Sequence, residues 1–247
     1  MICASHLSPP PHEQQDRREL PLRQQVERAI AEQRRGWVSG REGGRPWLLS
    51  RTKYFTSALT AGFLLLFFSP LFLVIAVIIK LSSQGPVFFI QQRTGFRGRR
   101  FGMIKFRTMV ADAEAMKDSV RHLNKHGPDS VDFKIDGDPR VTRIGGFLRR
   151  ASLDELPNLF NVVYGQMRMV GPRPTSFHVR TYKPHYLGRL SVYPGITGLW
   201  QVSGRSNVDF ETRVILDLHY ISHQSPWLDL KILARTPWAI LIGHGAA

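Results

Sequence analysis

The sequence predicts an α+β protein in which a broken apolar helix near the N-terminus anchors a mainly helical domain that carries a small β-hairpin. Three observations lead to this fold class. Residues 54–79 are an uncharged run of 26, residues 85–110 alternate around glycine turns, and several later stretches repeat apolar residues at helical spacing. We divide the chain into a polar, basic and partly disordered extension (1–50), an anchor (51–82) and a functional domain (83–247).

The composition indicates an anionic partner. The chain has 34 Lys+Arg against 19 Asp+Glu, a formal net charge of +15. This charge favours a phosphorylated substrate, an anionic membrane surface or nucleic acid. We expect no nucleic acid, because the apolar run and the lack of a recognisable binding motif argue against it. With Cys3 as the only cysteine and no Walker A pattern, a zinc cluster and a P-loop enzyme are excluded.

The uncharged run predicts a membrane helix that is broken in the middle. A straight helix of this length would reach roughly 39 Å, more than the ~30 Å hydrocarbon core. Ser69-Pro70 interrupts the run, because proline removes a helical hydrogen bond. Both flanks are basic, so the charge pattern gives neither flank a preference for the outside. The pattern alone leaves a re-entrant helix and a kinked spanning helix equally open.

The other segments predict mostly helices. A short amphipathic helix is expected from about Leu20 to Arg34 and a polar one at 111–126. After Glu155 a helix should run to Tyr164 and stop at Gly165. Residues 191–207 are typical of loop and short strand, and 210–221 predict a helix. The apolar segment 227–242 predicts a helix kinked at Pro237 that packs into the core or lies on a membrane interface.

The most informative stretch is Ser152-Leu153-Asp154-Glu155-Leu156-Pro157, which has two adjacent carboxylates at a predicted helix start. A basic cluster precedes it: Arg140, Arg143, Arg149 and Arg150. Arginines can neutralise phosphate oxygens while one carboxylate attacks the phosphorus atom. The alternative is a capping box, in which Ser152 caps the helix and Glu155 returns the hydrogen bond. The local pattern leaves both interpretations open.

Three further segments offer polar ligands for phosphate or nucleotide. Lys105 and Arg107 end the second hairpin strand, where alternation predicts a shared face, although lipid headgroups would explain two cations almost as well. Pro172 and Pro174 hold Arg173 still, which suits bidentate phosphate recognition. An incidental arginine in a stiff turn explains the pattern equally well. The glycine-rich segment 194–205, with Gln201 and Arg205, is suited to holding a nucleotide.

In this order the motifs resemble the bacterial sugar transferase family, the monotopic polyprenyl-phosphate phosphoglycosyl transferases. The resemblance runs from about Lys53 to Ala247. It includes the Ser69-Pro70 break, Gly85–Phe88 with Gln91–Arg93, Lys105–Met109, Asp138–Thr142, Ser152–Pro157, Gly171–Pro174, Pro194–Arg205 and Leu228–Lys231.

The resemblance implies a reaction and its site. A sugar-1-phosphate would move from a UDP-sugar to undecaprenyl phosphate with release of UMP, through a covalent intermediate on Asp154 that Glu155 helps to resolve. It implies Mg²⁺ at Asp154, and a helix end that attracts anions would make capping compatible with catalysis. The implied phosphate ligands are Lys105, Arg107, Arg149 and Arg173, with Gln201 and Arg205 on the nucleotide side.

The resemblance also implies a location. A re-entrant helix would hold the catalytic domain on the cytoplasmic face of the bacterial inner membrane. Gly198–Gly204 is similar to members that transfer glucose or galactose phosphate, which points to the first membrane step of exopolysaccharide or capsule synthesis. The competing hypothesis is a non-enzymatic basic membrane scaffold or regulator of a polysaccharide assembly complex, which has no need of the Asp154-Glu155 pair. A homo-oligomer stays open.

Overall fold

The computed structural model describes Gln24 and residues 47–125, 127, 135–203 and 209–242. Apart from Gln24, the helix predicted at Leu20–Arg34 lies outside these residues, and so does Arg205. The described part mixes helices with two small sheets, as the sequence predicts.

A bent pair of helices forms the apolar segment: α1 (Arg51–Phe67) and α2 (Ser69–Ser82). The Ser50 Oγ caps α1 by accepting a hydrogen bond from the Lys53 N–H at 3.0 Å. Pro70 lies in the first turn of α2, where its missing N–H needs no partner. The two helices meet at an angle of 62°, which confirms the predicted break. Taken singly, no described helix is long and apolar enough to cross a bilayer, but the bent pair meets that criterion together.

One face of the bent pair packs on the rest of the protein, and the other is exposed. Lys53, Ser57 and Ala61 are buried at four-residue intervals along α1, and Ile75 and Ile79 are buried on α2. More than half of the surface of each of these large apolar residues is exposed: Phe55, Leu59, Phe63, Leu66, Phe67, Leu73 and Leu81. Exposed apolar surfaces of this extent are typical of sites that contact a protein partner or a membrane.

The predicted hairpin is confirmed as β1 (Phe88–Thr94) and β2 (Arg100–Phe106). The strands are antiparallel, with Phe88 opposite Phe106 at one end and Thr94 opposite Arg100 at the other. Gly98 adopts a φ of 74° in the connecting turn, a conformation that favours glycine. Phe106 packs into a core cluster with Ile75, Ile79 and Leu148, so the hairpin is fixed against α2.

The remaining elements build the second half of the domain. They are α3 (Arg143–Arg150), α4 (Asn158–Val163), β3 (Arg168–Val170), β4 (Gly195–Thr197), α5 (Leu199–Ser203), α6 (Phe210–Ser222) and α7 (Pro226–Ile242). Strands β3 and β4 pair in parallel, and Val170 joins a core with residues of α6 and α7, among them Tyr220 and Ile232. The helices predicted after Glu155, at 210–221 and at 227–242 are confirmed, and Pro237 lies inside α7.

Helix α7 is divided between core and surface. Ile232 is buried, whereas Trp227, Trp238 and Leu241 are more than half exposed. The core packing expected for this helix therefore accounts for one of its faces.

Two segments differ from the prediction. Residues 111–120 form successive turns instead of a helix. In this segment the Ala113 carbonyl accepts a hydrogen bond from Arg140 Nη1 at 3.1 Å. The N–H of Lys117, which a helix would direct to that carbonyl, donates to the Glu114 carbonyl at 3.1 Å. Within the glycine-rich segment the expected strand is present as β4, but the short helix α5 follows it.

Gly145 allows α3 to lie directly on the backbone at Thr108, and this contact gives a stability prediction. A Cβ at Gly145 would lie 1.9 Å from the Thr108 carbonyl oxygen, whereas one at Gly146 would meet nothing closer than 3.7 Å. We expect Gly145→Ala to lower the free energy of unfolding by about 1–3 kcal/mol, and Gly146→Ala to leave it unchanged or raise it by up to about 1 kcal/mol. Denaturant unfolding of both variants in detergent is the measurement, and equal stabilities would contradict the close approach.

Candidate active site

The two carboxylates lie in a 3₁₀ turn, Leu153–Glu155, between α3 and α4. Ser152, which precedes the turn, is left-handed with a φ of 55° and makes no side-chain cap, and α4 begins only at Asn158. The capping box, one of the two interpretations of this stretch, is therefore not formed. A left-handed L-residue costs roughly 1–2 kcal/mol, and such strain is found mostly where function fixes the backbone.

Asn161 of α4 sets the hairpin beside this turn. Its side chain is fully buried. It accepts a hydrogen bond from the Ile104 N–H at 2.9 Å and donates one to the Gly102 carbonyl at 2.7 Å. These two bonds fix β2 against α4, so that Lys105, the next residue along β2, reaches the carboxylates.

Both oxygens of Glu155 are held by cations. Lys105 Nζ donates to Glu155 Oε1 at 2.8 Å. The Arg173 guanidinium binds both oxygens, with Nη1 2.7 Å from Oε2 and Nη2 on Oε1. Burial alone would raise the pKa of Glu155, but Arg173 and Lys105 outweigh it and hold that pKa well below its ordinary value. Glu155 is therefore a permanently charged anchor for two cations and a weak base.

Asp154 has a different environment. It is 8% exposed, and its nearest cation is Lys105, with Nζ 3.9 Å from Oδ2. Among the described residues, none donates a hydrogen bond to its carboxylate. Burial raises the pKa of Asp154, Lys105 opposes the rise, and the charge of Glu155 adds to it. A carboxylate whose charge is poorly compensated is well suited to form a bond to an electrophile.

Two more arginines approach the pair. Arg149 Nε donates to Thr108 Oγ1 at 2.9 Å, and the charge of Asp154 opposes the decrease that burial causes in the Arg149 pKa. Arg93 lies beside Arg173; burial and that neighbouring charge lower the Arg93 pKa to about 10, so it stays protonated at neutral pH. Sequence reasoning did not assign Arg93 to the site.

The cluster has an excess of positive charge. Lys105, Arg93, Arg149 and Arg173 face two carboxylates. The excess of two charges matches an esterified diphosphate, which carries one negative charge on each phosphate. Charge-assisted hydrogen bonds from arginine are strong and geometrically specific for such oxygens.

Three predicted ligands lie elsewhere or outside the described residues. Arg107 follows the last residue of β2, and its Nη2 donates to the Ser83 carbonyl at 2.7 Å and Ser83 Oγ at 2.9 Å. The two cations therefore have different partners: Lys105 binds Glu155, and Arg107 binds Ser83 at the end of α2. Gln201 lies in α5, where Nε2 donates to the Ile196 carbonyl at 3.2 Å, and no described contact joins it to the carboxylates. Arg205 is not among the described residues.

The donor set constrains how a metal ion can bind. No group of three or more His, Cys, Asp or Glu side chains with metal-binding geometry occurs in the described ranges. Asp154 is the carboxylate of the pair that cations do not hold on both oxygens. Mg²⁺ is commonly bound by one or two carboxylates together with substrate phosphates and water. The residues present therefore fit Mg²⁺ on Asp154 in combination with a bound diphosphate.

Comparison with known proteins identifies the family of this chain. A model of the family described as bacterial sugar transferase matches residues 49–243. The chain belongs to the bacterial sugar transferase family. The family resemblance drawn from the motifs is thus confirmed.

Individual relatives are similar over most of the chain. The exopolysaccharide production protein ExoY of Rhizobium meliloti (strain 1021) is 40% identical over 194 residues, 76% of this chain and 84% of ExoY. The galactosyl transferase CpsE of Streptococcus agalactiae serotype III (strain NEM316) is 46% identical over 168 residues, 67% of this chain and 37% of CpsE. The UDP-glucose:undecaprenyl-phosphate glucose-1-phosphate transferase of Xanthomonas campestris pv. campestris is 41% identical, covering 83% of this chain and 42% of that enzyme. The chain thus spans most of ExoY but less than half the length of the other two.

Proposed function

We propose that this chain transfers a sugar-1-phosphate from a UDP-sugar to undecaprenyl phosphate and releases UMP. The proposal rests on the different environments of two adjacent carboxylates. Glu155 is held by Lys105 and Arg173, whereas Asp154 has no hydrogen-bond donor among the described residues. The name of the Xanthomonas relative describes this type of transfer from UDP-glucose. A scaffold would have no use for such a pair, and no described contact favours that alternative.

In the first step, a carboxylate oxygen of Asp154 attacks the β-phosphorus of the UDP-sugar. The bond from that phosphorus to the bridging oxygen breaks, UMP leaves with the bridging oxygen, and the sugar phosphate becomes an acyl phosphate on Asp154. Lys105, Arg149 and Arg173 stabilise the charge that moves to the phosphate oxygens. Mg²⁺, bound at Asp154, would supply further positive charge to these oxygens.

In the second step, an oxygen of undecaprenyl phosphate attacks the same phosphorus atom. The bond to Asp154 breaks, the free carboxylate is restored, and the sugar diphosphate remains on the lipid. A phosphate monoester has a second pKa near 6, so the acceptor is already largely dianionic at neutral pH. The low pKa of Glu155 therefore favours a role in holding Lys105 and Arg173 over a role in deprotonating the acceptor.

We propose further that the bent helix pair is re-entrant and leaves the catalytic domain on the cytoplasmic face of the bacterial inner membrane. Lys53 at the start of α1 bonds to Tyr220 and Asp229, and Arg107 bonds to Ser83 at the end of α2. Both ends are thus attached to one folded unit, which supports entry and exit on the same side of a membrane.

Thiol labelling tests the topology. Arg51→Cys and Gln84→Cys, each in a Cys3→Ser background, change exposed residues at the two ends of the pair. Both should react with an impermeant maleimide in inverted vesicles and be protected in intact spheroplasts. Labelling of the two ends from opposite sides would establish a spanning helix instead.

The donor sugar is proposed to be glucose or galactose. The relatives are named for both sugars, galactose in CpsE and glucose in the Xanthomonas enzyme. Transfer of either to the lipid would begin the assembly of an exopolysaccharide or capsule.

UMP release tests the function. Purified protein in detergent, with Mg²⁺ and undecaprenyl phosphate, should release UMP from UDP-glucose or UDP-galactose and not from UDP-N-acetylglucosamine. Without acceptor, the covalent mechanism predicts a burst of about one UMP per active site. Absence of UMP with every donor in folded protein would contradict the function, and turnover without such a burst would favour direct transfer.

A further inference from the structure

We propose that Arg189 and Asp217 form a positioning pair that holds Arg173 in the geometry needed to clamp Glu155. The inference rests on the proposed function, because it assigns these two residues to the same reaction without placing either at the substrate. Arg189 lies in the 3₁₀ segment Pro184–Ser191, and Asp217 lies in α6.

The backbone around Arg173 is secured through its carbonyl groups. Pro172 and Pro174 have no N–H to donate, so their carbonyls are the hydrogen-bonding groups with which they can be fixed. The Pro172 carbonyl accepts from the Gly195 N–H at 3.0 Å, and the Pro174 carbonyl from Arg93 Nη1 at 3.4 Å. The Arg173 carbonyl accepts from Arg189 Nη2 at 2.9 Å. Of these three donors, Arg189 acts on the residue that holds Glu155.

Arg189 is itself fixed by a buried ion pair. The same Nη2 donates to Asp217 Oδ2, and the two residues are 4% and 1% exposed. The guanidinium also lies 5.5 Å from the centre of the Phe210 ring. Water has no access to compete for this pair, so the donor that faces the Arg173 carbonyl has one orientation.

The Arg189–Asp217 ion pair leaves two buried polar atoms without a hydrogen bond among the described residues, so it is not optimal for stability. Arg189 Nη1 and Asp217 Oδ1 are buried without a hydrogen-bond partner in the described part of the chain. Buried ion pairs with unsatisfied atoms are often no more stable than apolar residues of similar size. Positioning gives the pair a role that its contribution to stability does not explain.

The side chain of Arg173 links the Arg189–Asp217 pair to Glu155. The Arg173 guanidinium binds both oxygens of Glu155, and Lys105 shares one of them. A displacement of the Arg173 backbone would move this set of charges relative to Asp154. A misplacement of about 1 Å in an active site can cost roughly 10²-fold in rate.

The test replaces the ion pair without leaving a buried charge. Arg189→Leu combined with Asp217→Leu should unfold at a temperature close to that of the unmutated protein, because apolar residues replace the pair. We expect kcat for UMP release to fall by about 10- to 100-fold with a smaller change in KM for the UDP-sugar. An unchanged kcat in this folded variant would overturn the proposal.

A double-mutant cycle with Arg173 distinguishes a positioning role of the pair from a general disturbance of the active site. If the pair acts through Arg173, the leucine variant should lose nothing further in an Arg173→Ala background when UMP release is followed in single turnovers with excess enzyme. If the leucine substitutions lower the rate in the Arg173→Ala background by the same factor as in the unmutated protein, the proposal is overturned. If the leucine variant does not fold, Asp217→Asn keeps the volume and is judged by the same cycle. If the unmutated protein releases no UMP, the proposed function fails, not the coupling.

Discussion

Asp154→Asn is expected to abolish UMP release, with a loss of at least about 10⁴-fold, as is found when a catalytic nucleophile is removed. An amide oxygen is a poor nucleophile towards phosphorus and cannot form the acyl phosphate. The burst of UMP without acceptor should vanish as well. Normal turnover in this variant would contradict the assignment of Asp154 as the nucleophile.

The same substitution should not harm the fold. Burial raises the pKa of Asp154 above its ordinary value, so the charged form that exists at neutral pH is disfavoured in the folded state. Replacing it with a neutral amide of the same shape should leave the melting temperature unchanged or raise it. Asp112→Asn is the matched control, because it removes one negative charge from an exposed residue and should retain full activity.

Glu155→Gln distinguishes the two carboxylates. Loss of the charge weakens the hold on Arg173 and Lys105, so turnover should fall strongly while a slow burst of UMP remains. A burst that survives in Asp154→Asn and disappears in Glu155→Gln would reverse the two roles.

Local signals made much of this protein predictable from its sequence. Pro70 breaks the apolar helix whatever its tertiary surroundings, because proline lacks the N–H that a continuous helix needs. The alternation around glycines defines the hairpin. The strand position of Lys105 and the two prolines beside Arg173 indicate phosphate ligands, but only the family resemblance implies that both lie at the carboxylates.

The errors occur where a distant residue changes a local preference. Glu155 binds Lys105, 50 residues away, and Arg173, 18 residues away, and these charge-assisted bonds prevail over the weaker capping box that the pattern Ser152–Glu155 suggests. In the segment 111–126, where a helix is expected, Arg140 competes for the Ala113 carbonyl. Arg107 keeps the register of β2, because its N–H donates to the Val87 carbonyl at 2.9 Å, but its guanidinium bonds to Ser83 at the end of α2 instead of the carboxylates. Arg189 and Asp217, 28 residues apart, carry no local signal that could have identified them.

The second large effect is expected at the base of α1, where Lys53 is buried. Its Nζ donates to Asp229 Oδ2 at 2.7 Å and to Tyr220 Oη at 2.7 Å. Asp229 also accepts from Trp47 Nε1 at 2.8 Å and from Tyr220 Oη at 2.5 Å. One carboxylate thus joins the segment before α1 and α1 itself to α6 and α7.

Asp229→Ala should lower the free energy of unfolding by about 3–5 kcal/mol, because Lys53 loses its counter-ion and must either remain a buried charge or give up its proton. Tyr220 and Trp47 lose an acceptor at the same time. Denaturant unfolding in detergent measures the loss. Lys231→Met, a change to an exposed residue two positions along α7, should stay within about 0.5 kcal/mol of the unmutated protein. A similarly small effect of Asp229→Ala would show that the buried contacts contribute little.

The double variant Lys53→Met with Asp229→Leu tests whether the ion pair orients α1 in addition to stabilising the fold. Apolar residues in both positions should restore most of the lost stability. They do not restore the directional bonds that fix the rotation of α1, whose outer face is apolar from Phe55 to Leu66. Hydrogen exchange in the first turns of α1 should therefore stay faster in the double variant than in the unmutated protein, with α4 unchanged. Full protection of α1 would mean that apolar packing alone orients the helix, and the polar contacts would then serve stability only.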